Sequence, residues 1–260
     1  MPSVRSCPRC AAASRLTRTT ATARQRPSAA TAAFSQLDQA ASGREPVLRP
    51  SPRVSTVPRG SAVLYDAWDS CVPYQAAWDF QRAEARSYAD AQAEGAEVDR
   101  LIILQHEPVY TLGTGSTEDH LKFDINNPKL PTFRTERGGE VTYHGPGQLV
   151  MYPILNLRDH KQDLHWYMRS LEEVVILALD SVSGLQGERV PGLTGVWVDG
   201  RKVAAIGVRA TRWITYHGLA LNVVNSLEPF SDIVPCGISD RPVSSVLDTL
   251  NRKVFCAPAA

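Results

Sequence analysis

Residues 193–224 read L-T-G-V-W-V-D-G-R-K-V-A-A-I-G-V-R-A-T-R-W-I-T-Y-H-G-L-A-L-N-V-V. Three runs rich in apolar and β-branched residues stand out, at 193–198, 203–209 and 212–224. The turn pair Asp199-Gly200 separates the first two. Such runs read as three successive strands of one sheet. Working outward, 149–157 (L-V-M-Y-P-I-L-N-L), 101–105 (L-I-I-L-Q) and 61–65 (S-A-V-L-Y) read as further strands. Pro153 cannot donate to a ladder, so it points to a sheet edge or a bulge. Between them, Leu164, Tyr167, Met168, Leu171, Val174, Val175, Ala178 and Leu179 recur at helical spacing, which predicts a helix over 164–180. A second, Ala/Glu/Arg-rich helix is expected over 73–94, with Pro73 near its first position and Gly95 as its stop. Residues 113–135 hold Gly, Asn and Pro and read as a long loop. Strands and helices interleave without a regular βαβ repeat. The expected fold is one α/β (α+β) domain with a mixed sheet.

The charge is unevenly placed. The chain has 260 residues and a net charge of +1. Residues 1–60 carry ten arginines, no lysine and two acids, Asp38 and Glu45, so the remainder is strongly acidic. The first segment is also rich in Ala, Ser, Thr and Pro and lacks apolar periodicity, so it cannot bury enough surface to fold. Arg-rich, Ser-rich and acid-poor is the pattern of an organellar transit peptide. Residues 1–60 are read as that leader and 61–260 as the folded, catalytic part. No apolar run reaches the roughly 18 residues that would span a bilayer, and no membrane or nucleic-acid partner is expected. The five cysteines are Cys7, Cys10, Cys71, Cys236 and Cys256. Cys7 and Cys10 lack the second pair that a structural zinc needs, and the other three form no disulfide framework.

The chemistry gathers in four places. Residues 137–148 (R-G-G-E-V-T-Y-H-G-P-G-Q) hold four glycines, which allow close approach of backbone to a ligand. The pattern matches neither phosphate-binding glycine motif. The tetrapeptide T-Y-H-G occurs at 142–145 and again at 215–218. The two His-Gly pairs at strand ends either face one pocket from two sides or are hydrogen-bonded structural residues. Metal ligation would need three or four ligands, and neither H-x-x-x-H nor clustered carboxylates accompany them. Lys202, in G-R-K-V-A-A-I-G-V-R, is one of only five lysines beyond residue 60 and runs straight into an apolar strand. Cys236 stands between Pro235 and Gly237 in I-V-P-C-G-I. A free thiol is only a few per cent thiolate at neutral pH, and a nearby ammonium lowers its pKa. Cys236 with Lys202 is therefore a workable nucleophile–base pair for acyl transfer, with the Gly237 amide open toward an oxyanion. Spacing alone does not bring them together.

The segments R-G-G-E-V-T-Y-H-G-P-G-Q, G-R-K-V-A-A-I-G-V-R, T-Y-H-G-L-A-L-N and I-V-P-C-G-I, in that order, resemble the lipoyl(octanoyl) transferase family, in its plastid and cyanobacterial form. The resemblance covers roughly residues 62 to 248. It implies a fold shared with the catalytic domains of biotin ligases and lipoate–protein ligases. It implies transfer of octanoyl from octanoyl-acyl carrier protein to a lysine of a lipoyl domain, in a 2-oxoacid dehydrogenase acyltransferase subunit or the glycine cleavage carrier protein, with no cofactor and no metal. By match of motif, Cys236 would carry the acyl thioester and Lys202 would lower its pKa and shuttle protons. Three groups would line the acyl site: Arg137, Gly138, Gly139, Glu140, Val141, Thr142, Tyr143 and His144; Ala205, Ile206 and Gly207; and Gly218, Leu219 and Ala220. Glu140 stands where many members have Gln, a polar-for-polar change. Both partner proteins carry acidic surfaces in such a system, so the acidic domain needs a local basic patch, for which Arg134, Arg137, Arg201, Arg209 and Arg212 are candidates. Two other readings compete: an ATP-dependent lipoate or biotin ligase, which would not need Cys236, and a non-catalytic module that docks lipoyl domains. The segments V-P-Y-Q-A-A-W and L-H-W-Y-M-R-S-L-E-E-V-V resemble the cyanobacterial and plastid members, and with the leader they point to the chloroplast stroma, with the mitochondrion as alternative.

Overall fold

The computed structural model describes residues 62–91, 98–235 and 242–255. Residues 1–60, expected as a leader, lie outside them, as do Gly95, Cys236, Gly237 and Cys256. In chain order the elements are β1 (Ala62–Val72), α1 (Tyr74–Ala91), β2 (Asp99–His106), β3 (Val109–Leu112), β4 (Thr132–Arg134), β5 (Val141–His144), β6 (Gln148–Ile154), α2 (Leu164–Ser183), β7 (Val196–Val198), β8 (Arg201–Thr211), β9 (Ile214–Asn222) and α3 (Val246–Phe255). The stretch that suggested three consecutive strands forms β7, β8 and β9, neighbours in a six-stranded sheet of order β1-β2-β6-β9-β8-β7. Within this sheet, among the described residues, β1 and β2 are the parallel pair, and α1 makes their crossover. The sheet is thus mixed, as expected. A second sheet, β4-β3-β5, lies outside it.

The two long helices cover opposite faces for a legible reason. In α1, Tyr74, Ala77, Gln81, Glu84 and Tyr88 are all buried, at spacings of three and four. With Phe80 they pack on β1, β2, β6 and β9. Pro73 sits one position earlier than expected, because its carbonyl already accepts the first helical bond from Ala77 N, at 3.2 Å. Asp163 caps α2 by accepting from Trp166 N at 2.9 Å, and Gly184 ends it at φ 65. The buried stripe of α2 is Tyr167, Leu171, Glu172, Val175 and Leu179. Val174 and Ala178, expected in that stripe, are exposed. The helix packs on β7, β8 and β9, and its other shoulder faces the β1–β2 side. An apolar groove of about 770 Å³ remains there, and none of the motif residues lines it.

Pro153 is not at an edge. It lies in β6, between β2 and β9, and pairs with Leu101. Its missing N–H is tolerated because the β6–β9 ladder stops at the Met151–Leu219 pair. Beyond that point the Thr215 side chain bridges the strands: Oγ1 donates to Pro153 O at 3.1 Å and accepts from Leu155 N at 3.0 Å. Pro153 thus sits neither at an edge nor in a bulge but just past the end of a ladder. The presumed loop 113–135 is more structured than its composition suggested. It contains a 3-10 turn at Glu118–His120 and ends in β4, which pairs in parallel with β3. Lys122 N donates to Asp232 O at 2.9 Å, and Val234 N to His120 O at 2.8 Å.

Candidate acyl-transfer site

Residues 137–148 form a loop, β5 and a turn. The loop is organised from inside by Arg137, which is 8% exposed. Its Nη2 donates to Thr111 O at 2.7 Å, Thr111 Oγ1 at 2.9 Å and Glu140 O at 2.8 Å, and its Nη1 to Gly138 O at 3.0 Å. Its charge is thus taken up by local carbonyls, and Arg137 drops out of the proposed surface patch. Arg134, Arg209 and Arg212 are exposed and Arg201 half-buried. Gly138 N donates to Val208 O at 2.9 Å and seats the loop on β8.

Residues of β5 alternate between two environments, as a strand requires. Val141 and Tyr143 join Tyr110, Leu112, Phe230 and Ile233 in the core of the small sheet. Thr142 and His144 face a narrow cleft of about 460 Å³ between the loop and the β8–β9 ladder. Arg137, Gly139, Glu140, Ala205, Ile206, Gly207, Gly218, Leu219 and Ala220 line it as well. Of the residues proposed for acyl binding, only Gly138, Val141 and Tyr143 stand off the cleft wall. Three others complete the wall: Tyr74, Tyr152 and His217. The repeat of T-Y-H-G signalled His217, whereas Tyr74 and Tyr152 reach the cleft from α1 and β6 with no motif to mark them.

Buried histidines, held in their neutral form, gather at and behind the cleft. His106 Nδ1 donates to Val72 O at 2.9 Å, and Tyr152 OH donates to His106 Nε2 at 2.7 Å. Burial pushes His106 down to about 4. Burial likewise holds His144 well below the usual histidine range, with His106 adding to the effect. His144 Nδ1 lies 2.8 Å from Gln148 Oε1 and Nε2 lies 3.3 Å from Thr111 Oγ1. Burial lowers His217 too, opposed by Glu136, whose Oε2 is 4.0 Å from His217 Nε2. Burial alone would raise Glu136; the nearby His217 ring, its own backbone amide and the Trp78 indole N–H, 3.2 Å from Oε1, outweigh it and bring the carboxyl to about 2. Among the described residues, no three His, Cys, Asp or Glu side chains gather as a metal site.

A second cavity, of about 270 Å³, adjoins the cleft and shares Thr142, Ala205 and Ala220 with it. Lys202 lines it, 6% exposed, with Nζ 5.2 Å from the centre of the Trp197 ring. So do Pro235 and Val243. Lys202 N donates to Pro242 O at 3.0 Å, and Ser244 N donates to Lys202 O at 2.9 Å. The residues on either side of the segment that contains Cys236 thus meet at Lys202.

Several known proteins share this sequence and fold. The family described as lipoyl protein ligase A/B catalytic domain matches residues 73–258. The chloroplastic octanoyltransferase LIP2p2 of Arabidopsis thaliana is 57% identical over 185 residues, 70% of this chain and 65% of that protein's length. An octanoyltransferase of Nostoc sp. is 55% identical over 194 residues, 75% of this chain and 85% of its own. Among solved structures, lipoate-protein ligase A bound with ATP superposes with a TM-score of 0.54 at 16% identity, over 74% of this chain and 78% of that one. A bipartite lipoate protein ligase from Thermoplasma acidophilum gives 0.51 at 17% identity, over 73% and 75%. At those identities the structural likeness is one of fold. The matched domain and the octanoyltransferase relatives place the chain in the lipoyl protein ligase A/B catalytic-domain family, in the lipoyl(octanoyl) transferase branch with plastid and cyanobacterial members.

Proposed function

We propose that this chain transfers an octanoyl group from octanoyl-acyl carrier protein to a lysine of lipoyl domains, through a thioester on Cys236. The observation that carries the reading is the cavity at Lys202, which is lined by Pro235 and Val243 and shares Thr142, Ala205 and Ala220 with the apolar cleft. Cys236 is the covalent neighbour of Pro235. The Lys202 ammonium favours the Cys236 thiolate. The thiolate attacks the thioester carbonyl of the donor, the carbonyl–sulfur bond of the donor breaks, and the carrier thiol leaves with a proton. One thioester replaces another, so the step needs no ATP. The acceptor lysine must then be neutral to attack, although its free pKa is about 10.4. Lys202, having given up a proton, accepts the one the amine loses. The amide forms, the Cys236–carbonyl bond breaks and the thiolate returns. Two half-reactions give ping-pong kinetics.

The cleft supports an apolar acyl chain. Its walls run along the ladder from the Ala205–Ala220 pair to the Gly207–Gly218 pair. Burial of a chain there is worth about 0.8 kcal/mol per CH₂, so length is discriminated modestly per carbon. Residues 1–60 serve as the leader and 61–260 as the catalytic domain. The Arg-rich, acid-poor leader and the chloroplastic relative support the plastid stroma as the site of action.

The test is to incubate the protein with octanoyl-acyl carrier protein alone and take its intact mass. An octanoyl adduct that hydroxylamine removes, and that Cys236→Ala lacks, is the expected result. No adduct, with ATP and free octanoate modifying a lipoyl domain instead, would make the protein a ligase. Lipoylation in cells rescued fully by Cys236→Ala would make it a docking module.

A further inference from the structure

Glu172 is a fully buried carboxylate on α2 that the proposed reaction does not use. Its Oε2 accepts from Arg169 Nη1 at 2.7 Å and from Arg189 Nε at 3.0 Å. Its Oε1 accepts from the backbone N–H of Gly195, at 3.0 Å. A buried ion cluster is a weak device for stability, since apolar side chains of similar volume often do as well. The Gly195 bond shows a different use. Gly195 sits at φ +138 just before β7, and a Cβ there would lie 2.6 Å from Lys202 Cε and 3.2 Å from Nζ. Its bare Cα is one wall of the slot that holds the lysine. Trp197, two residues on, puts its ring under the same ammonium.

β7 is three residues long and lies at the edge of the sheet, so its ladder with β8 holds it only briefly. Two further ties fix it. Glu188 and Trp197 exchange backbone bonds, Glu188 N to Trp197 O at 2.8 Å and Trp197 N to Glu188 O at 2.9 Å. The Glu172 carboxylate holds Gly195. We infer that Glu172 is a positioning residue for Lys202: by fixing the Gly195 amide it sets the wall against which the ammonium is aimed. This rests on the reading of Lys202 as the partner of the Cys236 thiol.

The experiment is alkylation of Cys236 in the full chain with iodoacetamide, followed by peptide mass across about pH 5 to 9, the range in which perturbed thiols titrate. Lys202→Ala is expected to slow alkylation at neutral pH about tenfold and to move the midpoint up by about one unit, toward the free thiol. Gly195→Ala and Glu172→Ala should move the midpoint the same way, by part of that amount. Glu172→Gln, which keeps an acceptor for the Gly195 amide, should stay nearer the parent. A shift with Lys202→Ala but none with Gly195→Ala and Glu172→Ala overturns the positioning role and leaves the cysteine–lysine pair standing. No shift with Lys202→Ala overturns the pair and the positioning role with it. A Cβ on Gly195 would also lie 2.6 Å from the backbone oxygen of Ala204 and fills the lysine slot directly. Should Glu172→Ala fail to fold, Glu172→Met therefore decides the question: it fills the same space without accepting from the Gly195 amide, and a midpoint equal to the parent's overturns the positioning role.

Discussion

The two copies of T-Y-H-G, at 142–145 and 215–218, are identical in sequence and different in structure. The first runs as ordinary strand along β5. Its Thr142 and His144 face the cleft and its Tyr143 fills the small core. The second lies within β9, which stays in register with β8 throughout, yet His217 adopts φ 58, a left-handed value that costs a non-glycine residue energy. Its N–H turns away from the ladder to Gln81 Oε1, at 2.9 Å. Here Thr215 is a bridge between strands, and His217 and Gly218 face the cleft. The same four residues thus give two different sets of roles, because Gln81 and Pro153 bond to the second copy whereas Tyr74 stacks on His144 of the first.

The largest contrast is expected at the glycines. A Cβ on Gly218 would lie 2.2 Å from the backbone oxygen of Met151, in the middle of the sheet. On Gly145 it would meet the end of the Tyr143 side chain. A ring can swing and a central strand cannot, so Gly218→Ala should cost about 3 kcal/mol or more. Gly145→Ala should cost clearly less. Denaturant unfolding of both variants measures this, and equal losses would dissolve the distinction. Next come the threonines. Thr215→Val leaves the Leu155 amide and the Pro153 carbonyl without their partner, for a loss of about 1–3 kcal/mol. Thr142→Val should change the Michaelis constant of the acyl donor more than the melting temperature.

The smallest difference should appear in pH dependence. Burial holds His106, His144 and His217 below the ordinary histidine range, so near pH 6 and below the unfolded chain binds more protons than the folded one. Stability is therefore full above about pH 6.5 and falls as the pH drops, by at most about 1.4 kcal/mol per unit for each histidine. His144→Gln should flatten that fall over a wider span than His217→Gln, since Glu136 partly offsets burial at His217. Urea unfolding at two or three values between about pH 4 and 7 would show it, and a parent whose stability rises on acidification would contradict the assignment of neutral rings.

Most of the fold was legible where periodicity is strong. β7 to β9, α2 and α1 announce themselves by apolar spacing, and the boundaries moved by only a few residues. The short strands β3, β4 and β5 were not legible, because three or four residues carry no period and their sheet forms only between distant segments. Val174 and Ala178 misled for a related reason: helical spacing shows that a face is apolar, not that another element covers it. In the site, Lys202 and most of the residues that line the cleft were named from motif and resemblance, whereas the burial of Arg137 and the arrival of Tyr74 and Tyr152 at the cleft were not.

The sequence by itself determined the mixed α/β class, the placement of the strands that wall the cleft and the residue types acyl transfer requires. Those properties follow from local spacing and side-chain chemistry, which every residue carries wherever it goes. Tertiary structure alone decided that Pro235, Val243 and Lys202 share a cavity, that Glu172 reaches Gly195 across 23 positions, and that two copies of T-Y-H-G part ways. Those depend on which distant segments pack together, and packing is settled by the whole sheet at once.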